Sequence, residues 1–271
     1  MTQTRDPHTV RTGAPGVLWL PALAALGLIV LPVIGGLVVR VPWSRFVELV
    51  TSESALAALW LSLCTAAVST LLCVLFGGPL AVVLARGSVP GLRLLRSVVL
   101  LPLVLPPVVG GLALLYLLGP KGFAGYALDV AFGVRVPFTT PAVILAQTFV
   151  AMPFLVVSLE GALRTGGERY EVIAATLGAP PWTVFRRITV PLVLPGLGSG
   201  MVLSFARCLG EFGATITFAG NFQGTTRTLP LDVYDLREDN VDGAIALSLV
   251  LVVVAIVVIA VARPRSAEGL G

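Results

Sequence analysis

The sequence predicts an all-α integral membrane protein with about six transmembrane helices, and two observations lead to this prediction. Of its 271 residues, 56% are hydrophobic and only 12% are charged, whereas soluble domains carry roughly 25% charged residues. Several apolar stretches also reach the ~20 residues that a helix needs to cross the hydrocarbon core of a bilayer. Because backbone polar groups in lipid have to be paired within their own segment, we expect these stretches to be helices.

Six apolar stretches are long enough to span the membrane. They comprise residues 17–39, 55–84, 94–118, 141–162, 192–216 and 243–262. Together they predict a transmembrane domain over residues 17–262, and the first is too long for the core of a signal peptide. The second is interrupted by Gly77-Gly78-Pro79 and is expected to tilt or kink. Between the first two, apolar residues from Trp43 to Val50 indicate either a short helix in the membrane interface or an ordinary loop.

The third stretch contains prolines and glycines that predict a bent, tightly packed helix. These residues are Pro102, Pro106, Pro107, Gly110 and Gly111. Proline removes a helical hydrogen bond, and glycine lets helices approach closely. The bend either lies near a transport pathway or only shapes the packing.

The distribution of basic residues predicts the orientation of the chain. Cytoplasmic loops of membrane proteins carry an excess of Lys and Arg. With the N-terminus inside, eleven of the 18 basic residues fall on the inner side and six on the outer side. We therefore expect both tails (1–16 and 263–271) and the loop between the fourth and fifth spans to face the cytoplasm. The net charge of +4 then reflects orientation, and no nucleic-acid partner is expected.

Motifs for enzymatic chemistry are missing from the sequence. It has no GxxxxGK[ST] phosphate-binding loop, so a nucleotide would have to be handled by another subunit. It also has no HExxH or GxSxG motif, and its three cysteines lack metal-ligand spacing. The sequence therefore predicts no catalytic residues, no metal ligands and no cofactor.

The predicted cytoplasmic loop, from Gly166 to Pro195, has a distinctive local pattern. Glu171 to Leu177 favours a helix with an acid in its first turn, where the helix dipole stabilises negative charge. Gly178 ends this helix. The Pro180-Pro181 pair then forces a turn, because proline lacks an amide donor and disfavours helical geometry in the residue before it. A second helix is expected over Trp182 to Ile188.

This loop resembles the EAA loop of ABC-importer permeases, whose pattern is Glu-Ala-Ala, three residues, Gly, nine residues, Ile, one residue and Leu-Pro. The residues in register are Ala174, Gly178, Ile188 and Pro191. Val172 and Ile173 replace the Glu and first Ala of the pattern, and an acid stands one place earlier. The resemblance implies that the loop, about residues 166–191, docks on an ATPase subunit; the alternative is a connecting loop without a docking role. The coupling residues that it implies are Glu171, Ala174, Ala175, Gly178, Ala179, Pro180, Ile188 and Pro191.

The segment from Leu209 to Tyr234, LGEFGATITFAGNFQGTTRTLPLDVY, resembles molybdate permeases of the ABC-importer class. In these proteins GEFGAT and a TRT-like run before Leu-Pro recur at this place, whereas sulfate permeases share GEFGA and diverge just after it. The run from Leu101 to Leu115 resembles the third span of the same family. Over residues 55–262, the resemblance implies a type I ABC importer permease for molybdate or tungstate. Sulfate is the alternative cargo, and a secondary transporter or channel is the alternative class.

The resemblance also implies partners for this chain. They are a second copy of itself, ABC ATPase subunits on the cytoplasmic side, an extracytoplasmic molybdate-binding protein and the lipid bilayer of a prokaryotic plasma membrane. The segments predicted to lie outside carry eight acidic and six basic residues, so they offer a dianion no general attraction. Selectivity is therefore expected to belong to the separate binding protein.

A charged pair, Arg207 and Glu211, lies deep within the predicted fifth span. Arg207 would lie about 16 Å from a helix start near Gly196, close to the bilayer midplane. Charges at this depth are costly and usually face a cavity or a partner. The polar residues that share this predicted helix face are Gly200, Ser204, Arg207, Glu211 and Thr215. We interpret the face as lining a translocation pathway at or near its gate; the alternative is a pair that only joins the fifth span to a neighbouring helix.

Overall fold

A computed structural model describes residues 18–87, 90–166 and 168–261. The two predicted tails, 1–16 and 263–271, lie outside these described residues. Within them, every regular element is helical and no β-strand occurs. The all-α prediction is therefore confirmed for the described part of the chain.

The described residues form fourteen α-helices and two π-helical turns. The α-helices are α1 (Trp19–Gly36), α2 (Phe46–Val50), α3 (Glu53–Leu72), α4 (Gly78–Arg86), α5 (Leu92–Val104), α6 (Pro107–Leu118), α7 (Phe123–Phe132), α8 (Thr140–Gly166), α9 (Glu168–Thr176), α10 (Pro181–Val184), α11 (Val190–Leu209), α12 (Gly213–Phe218), α13 (Leu229–Asp239) and α14 (Val241–Val261). The π-helical turns, Cys73–Gly77 and Phe185–Thr189, lead into α4 and α11.

Five helical segments of the described chain are long and apolar enough to cross a membrane, and a bent pair forms a sixth. The five are Trp19–Arg40, Glu53–Arg86, Thr140–Gly166, Pro181–Leu209 and Val241–Val261. The sixth consists of α5 and α6, which meet at an angle of 113°. These segments correspond in order to the six predicted spans.

The first span forms a unit by itself. Residues up to Val41 separate from the rest of the chain, and their described part consists of α1 followed by a 3₁₀ turn at Val38–Arg40. Large apolar side chains of α1, such as Leu20 and Leu28, are exposed within this unit. Such a surface suits a helix that is surrounded by lipid.

The second unit begins at Pro42, and α8 runs through its middle in contact with α3, α4, α11 and α12. Small residues allow α8 and α11 to approach closely, as is usual in membranes. The Ser158 hydroxyl donates to the Gly196 carbonyl at 3.1 Å, and the Ser204 hydroxyl donates to the Ala151 carbonyl at 3.2 Å. A side chain at Gly200 would lie 3.2 Å from Ser158. Together these contacts hold α11 against α8 along several turns.

The second span is much longer than the bilayer requires. Glu53–Arg86 contains 34 residues, which corresponds to about 51 Å at the rise of an α-helix. The predicted irregularity at Gly77-Gly78-Pro79 coincides with the π-helical turn Cys73–Gly77. Gly77 lies there against Leu155 and Val156, where a Cβ atom would come within 3.2 Å of each side chain.

The third and fifth spans differ from the predicted continuous helices. The third is broken at Leu105 and Pro106, which are extended, because the two consecutive prolines remove amide donors and disfavour helical geometry before them. The fifth ends at Leu209, and α12 begins after Gly210–Phe212. No proline marks this second break in the sequence. The predicted helix through residue 216 was therefore wrong beyond Leu209.

The two breaks lie against each other. A Cβ atom at Gly213 would come within 2.9 Å of the Pro107 Cβ, and one at Gly111 would lie 2.7 Å from the Ala214 carbonyl oxygen. Glycine at these positions therefore permits backbone contact between α6 and α12. The bend and close packing predicted for the third span are confirmed.

Among the shorter helices of the described chain, α2, α7 and α13 lie in the connections between spans. Of the two alternatives for Trp43 to Val50, the structure has a short helix, α2, and the tilted rings of Trp43 and Phe46 lie 5.6 Å apart between centroids. The sequence analysis did not predict α7 or α13. Both belong to connections between spans, where the apolar residues show no clear helical period.

We predict that Gly111→Ala destabilises the protein by about 1–3 kcal/mol, the usual cost of overpacking a tight contact. The new Cβ would meet backbone atoms of Ala214, which have little freedom to move. Gly161→Ala is the matched control, since nothing lies within 4 Å of its Cβ position in helix α8. Thermal unfolding in detergent measures both variants. Equal unfolding midpoints for the two would contradict the proposed packing of α6 on α12.

Candidate coupling loop and translocation site

The predicted coupling loop folds as a helix, a sharp turn and a second helix. The first helix, α9, begins at Glu168, three residues before its predicted start. Gly178 follows its end with φ +82°, a left-handed conformation that favours glycine. The Gly178 amide donates to the Ala175 carbonyl and the Ala179 amide to the Ala174 carbonyl, both at 3.0 Å. This pair of bonds is the Schellman motif that commonly ends helices.

The outer surface of this loop is apolar and exposed. Leu177 is 82% exposed and Trp182 is 69% exposed, and the Trp182 ring stacks on Phe185 at 5.8 Å. Exposed large apolar residues close together usually mark a binding surface. The loop therefore presents a surface that suits a partner protein.

The structure divides the predicted coupling residues between two sides of α9. Ala174, Ile188 and Pro191 line one shallow groove together with Tyr170 and Leu177. The residues that line a second cavity on the other side include Glu171, Ala175 and Ala179. Pro180 is extended and exposed, and it leads into the second helix. The eight residues therefore do not form one patch.

The Glu171 carboxylate is turned toward the protein's own spans. Its side chain is 15% exposed. Arg86 binds it with both Nη atoms, with 2.8 Å between Nη2 and Oε1. The Thr189 hydroxyl donates to the same Oε1 at 2.6 Å, and Arg86 Nη2 also donates to the Leu163 carbonyl at 3.2 Å. The sequence did not predict the contact with Arg86, because 85 residues separate it from Glu171.

A second arginine network lies beside the first. Glu160 accepts hydrogen bonds from Arg96 and from Arg164, the latter at 3.0 Å. Both arginines also donate to the Leu84 carbonyl, Arg164 at 3.2 Å and Arg96 at 3.4 Å. The network therefore joins the ends of α4, α5 and α8. In the sequence, these arginines belong to the excess of basic residues on the predicted inner side, and their contacts with Glu160 were not predicted.

The predicted charged pair at the end of the fifth span is present. Arg207 Nη2 lies 2.5 Å from Glu211 Oε2, with side chains 25% and 1% exposed. Glu211 lies beyond the end of α11, and its Oε1 accepts a hydrogen bond from the Ala214 amide at 2.8 Å. The carboxylate therefore caps the N-terminus of α12. The pair holds the two half-helices together across their break.

The remaining members of the predicted polar face are buried. Gly200 and Ser204 lie against α8. Thr215 is fully buried on α12, and its hydroxyl has no hydrogen-bond partner. The face is thus not continuous, since the helix that would carry it stops at Leu209. Among its five residues, Arg207 is the most exposed charged one.

A third polar cluster lies at the opposite end of the second unit from the coupling loop. Arg227 contacts Asp235 at 3.0 Å and Asn221 at 2.9 Å, and it lies 3.8 Å from Asp232. The Ser54 hydroxyl donates to Asp232 at 3.1 Å. Burial raises the pKa of Asp232, and the Ser54 hydrogen bond opposes this shift. The cluster fixes the preceding loop to α13, and it fixes α13 to the start of α3.

Comparisons with known proteins agree with this architecture. The family described as "Binding-protein-dependent transport system inner membrane component" matches residues 77–263. The molybdenum transport system permease protein ModB of Mycobacterium tuberculosis is 56% identical over 237 residues, which cover 88% of this chain and 89% of that protein. The sulfate transport system permease protein CysT of Escherichia coli is 35% identical over 210 residues, covering 77% of this chain and 76% of that one.

Solved structures match the fold at low sequence identity. The crystal structure of a bacterial alginate ABC transporter in complex with a pentasaccharide-bound periplasmic protein contains a chain with a TM-score of 0.72. It is 20% identical and covers 94% of this chain and 95% of that one. The fold is therefore that of an ABC-importer permease. The chain belongs to the family of inner-membrane components of binding-protein-dependent transport systems, and it is a multi-pass membrane protein.

Proposed function

We propose that this chain is the membrane-spanning subunit of an ATP-driven importer that carries molybdate or tungstate into the cytoplasm. The similarity to the molybdenum permease of Mycobacterium tuberculosis, over most of both chains, carries this proposal. The lower identity to the sulfate permease makes sulfate the weaker candidate cargo. A secondary transporter is weaker still, because the chain belongs to a family of binding-protein-dependent systems.

The chain itself catalyses no reaction in this proposal. Its sequence has no phosphate-binding loop, so ATP is bound and hydrolysed by a separate ATPase subunit. The partners are a second copy of this chain, ATPase subunits on the cytoplasmic side and an extracytoplasmic molybdate-binding protein. Both termini and the coupling loop face the cytoplasm, as the excess of arginines on that side favours.

The transport cycle is one of alternating access. ATP binding draws the two ATPase subunits together, and the apolar surface around Leu177 and Trp182 transfers this movement to the spans. The spans then open toward the binding protein, accept the oxyanion and return after hydrolysis. Such a cycle needs two arrangements of the helices that each ligand stabilises differently.

The pathway runs past the junction of the two broken spans. Irregular backbone at membrane depth is tolerated where it is buried in protein or lines a cavity, and transporters commonly place their substrate path at such breaks. Arg207, Glu211 and Thr215 lie at or next to this junction, and Gly200 and Ser204 pack the preceding turns of α11 against α8. In the alternative, the ion pair only holds α11 and α12 together.

We predict that Gly178→Val weakens binding of the ATPase by about tenfold. A β-branched residue in the left-handed conformation costs about 1–2 kcal/mol, and about 1.4 kcal/mol corresponds to a tenfold change in affinity. Gly133→Val is the matched control, because Gly133 also follows a helix, has φ +65° and has no atom within 4 Å of its Cβ position. Co-purification with the ATPase measures the effect. A Gly178→Val protein that binds and transports as well as Gly133→Val would contradict the coupling role, and deletion of residues 179–182 should confirm it.

We predict that uptake of labelled molybdate by the assembled transporter is inhibited by tungstate and resists a large excess of sulfate. Tungstate has the same charge and nearly the same size as molybdate, so it should compete fully. The measurement uses proteoliposomes with the permease, its ATPase and its binding protein. Equal competition by sulfate would favour the sulfate alternative.

We predict that Arg207→Ala abolishes most transport, because it leaves the buried Glu211 carboxylate unpaired at a cost of about 3–5 kcal/mol. Glu211→Ala should also impair transport, because it removes both the ion pair and the cap on the Ala214 amide. Glu211→Gln should be milder, since its Oε1 can still accept the hydrogen bond of the Ala214 amide. Transport in proteoliposomes and thermal stability are measured together. Equal effects of Gln and Ala at position 211 would contradict this account.

Cysteine labelling separates the pathway from a merely structural role. In a background without Cys64, Cys73 and Cys208, a cysteine at position 207 should react with a water-soluble thiol reagent in at least one nucleotide state. A cysteine at position 204 should react less, because Ser204 is fully buried against α8. Protection of position 207 in every state would favour the structural role.

A further inference from the structure

We propose that Glu171 is a positioning residue that ties the coupling helix α9 to this chain's own spans and makes no contact with the ATPase. This inference rests on the proposed coupling function of the loop and says how the loop transmits movement. Through Glu171, a displacement of α9 reaches α4, α8 and α11 together.

The burial of the Glu171 side chain sets it apart from its neighbours on α9. Tyr170 and Val172 are both more than half exposed, whereas the Glu171 side chain is 15% exposed. Both carboxylate oxygens contact Arg86, and Oε1 also accepts the Thr189 hydrogen. A carboxylate with these partners has little capacity left for a group on another subunit.

The two partners of Glu171 belong to two different spans, and one of these partners also binds a third span. Arg86 is the last residue of α4, and it also binds the Leu163 carbonyl near the end of α8. Thr189 is the last residue of the π-helical turn that leads into α11. The carboxylate therefore joins α9 directly to the end of α4 and to the turn before α11, and Arg86 extends this connection to α8.

The ends of α4 and α8 are also fixed to each other. Arg86 of α4 donates to the Leu163 carbonyl of α8, and Arg164 of α8 donates in return to the Leu84 carbonyl of α4. Among the ion pairs of the described residues, Arg86–Glu171 is the one that connects α9 with a span. The spans thus form a joined base, and Glu171 connects the loop to it.

The two-nitrogen contact between Arg86 and Glu171 fixes the orientation of α9 relative to α4. An arginine that binds a carboxylate with two nitrogen atoms fixes the relative orientation of both groups, whereas a lysine acts as a point charge. Arg86→Lys therefore keeps the charge and loses the orientation. Thr189→Val removes only one hydrogen bond and leaves the ion pair in place.

The experiment uses the assembled transporter in proteoliposomes and compares Glu171→Gln, Arg86→Lys, the double variant and Thr189→Val with wild type. We expect the affinity for the ATPase to stay within about twofold, the usual scatter between independent sites. The ATP hydrolysed per molybdate transported should rise by about tenfold in the single variants, and less in Thr189→Val. The double variant should be no worse than either single one, because both changes break the same contact.

Glu48→Gln is the control, because Glu48 is an exposed acid of α2 that pairs only with nearby Arg45. It should leave both the affinity and the coupling ratio unchanged. Thermal unfolding of every variant reports whether it is folded. If Glu171→Gln fails to assemble, the test rests on Arg86→Lys and Thr189→Val. A wild-type ratio of ATP hydrolysed to molybdate transported in both of these variants overturns the proposal.

Two other results would also overturn it. Weaker ATPase binding in Glu171→Gln but not in Arg86→Lys would place Glu171 in the subunit interface. An unchanged ratio in all variants would leave the contact without a role in transmission. Gly178→Val in the same assay distinguishes the two proposals. If Gly178→Val loses coupling while the Glu171, Arg86 and Thr189 variants keep it, the docking role of the loop stands and only the proposed role of Glu171 is overturned.

Discussion

Backbone groups inside a bilayer have no water to pair with, and this constraint shapes the two broken spans. An unpaired amide at this depth costs several kcal/mol. In the third span, Pro106 and Pro107 have no amide hydrogen, so the break exposes fewer donors. The Val109 and Gly110 amides return to the Pro106 carbonyl at 2.9 Å and 3.2 Å. The residues at this break therefore leave few backbone amides without a hydrogen-bond acceptor.

In the fifth span, a charged side chain supplies the hydrogen-bond acceptor for a backbone amide at the break. No proline removes the donors at the start of α12, and the Glu211 carboxylate accepts the Ala214 amide instead. A buried carboxylate needs a counter-charge, which Arg207 supplies from the last turn of α11. The cation there also suits the negative end of the α11 dipole. The intramembrane ion pair therefore follows from the break itself, whatever its further role in transport.

Part of this architecture could be read from the sequence, and the limits have physical causes. Hydropathy located the six spans, and the glycine and prolines of the coupling loop predicted its turn, because both signals are local. The break after Leu209 carried no such signal, and periodicity placed Thr215 on a helix that had already ended. The Arg86–Glu171 contact depends on the tertiary packing of α4 against α8 and α9. Residue spacing alone could not predict it.

The arginines at the end that carries the coupling loop illustrate how one residue type meets two requirements. As an excess of positive charge, they favour one orientation of the chain in the membrane. As donors, Arg86 and Arg164 bind carbonyls near the ends of α8 and α4, where helices leave acceptors unpaired. These hydrogen bonds fix the ends of the second and fourth spans, while the breaks at Leu105–Pro106 and Gly210–Phe212 interrupt the helical hydrogen bonding of the third and fifth spans. In the proposed transport cycle, a movement of the loop would reach these joined helix ends first, and the interrupted helices at the Arg207–Glu211 junction offer the backbone that can bend.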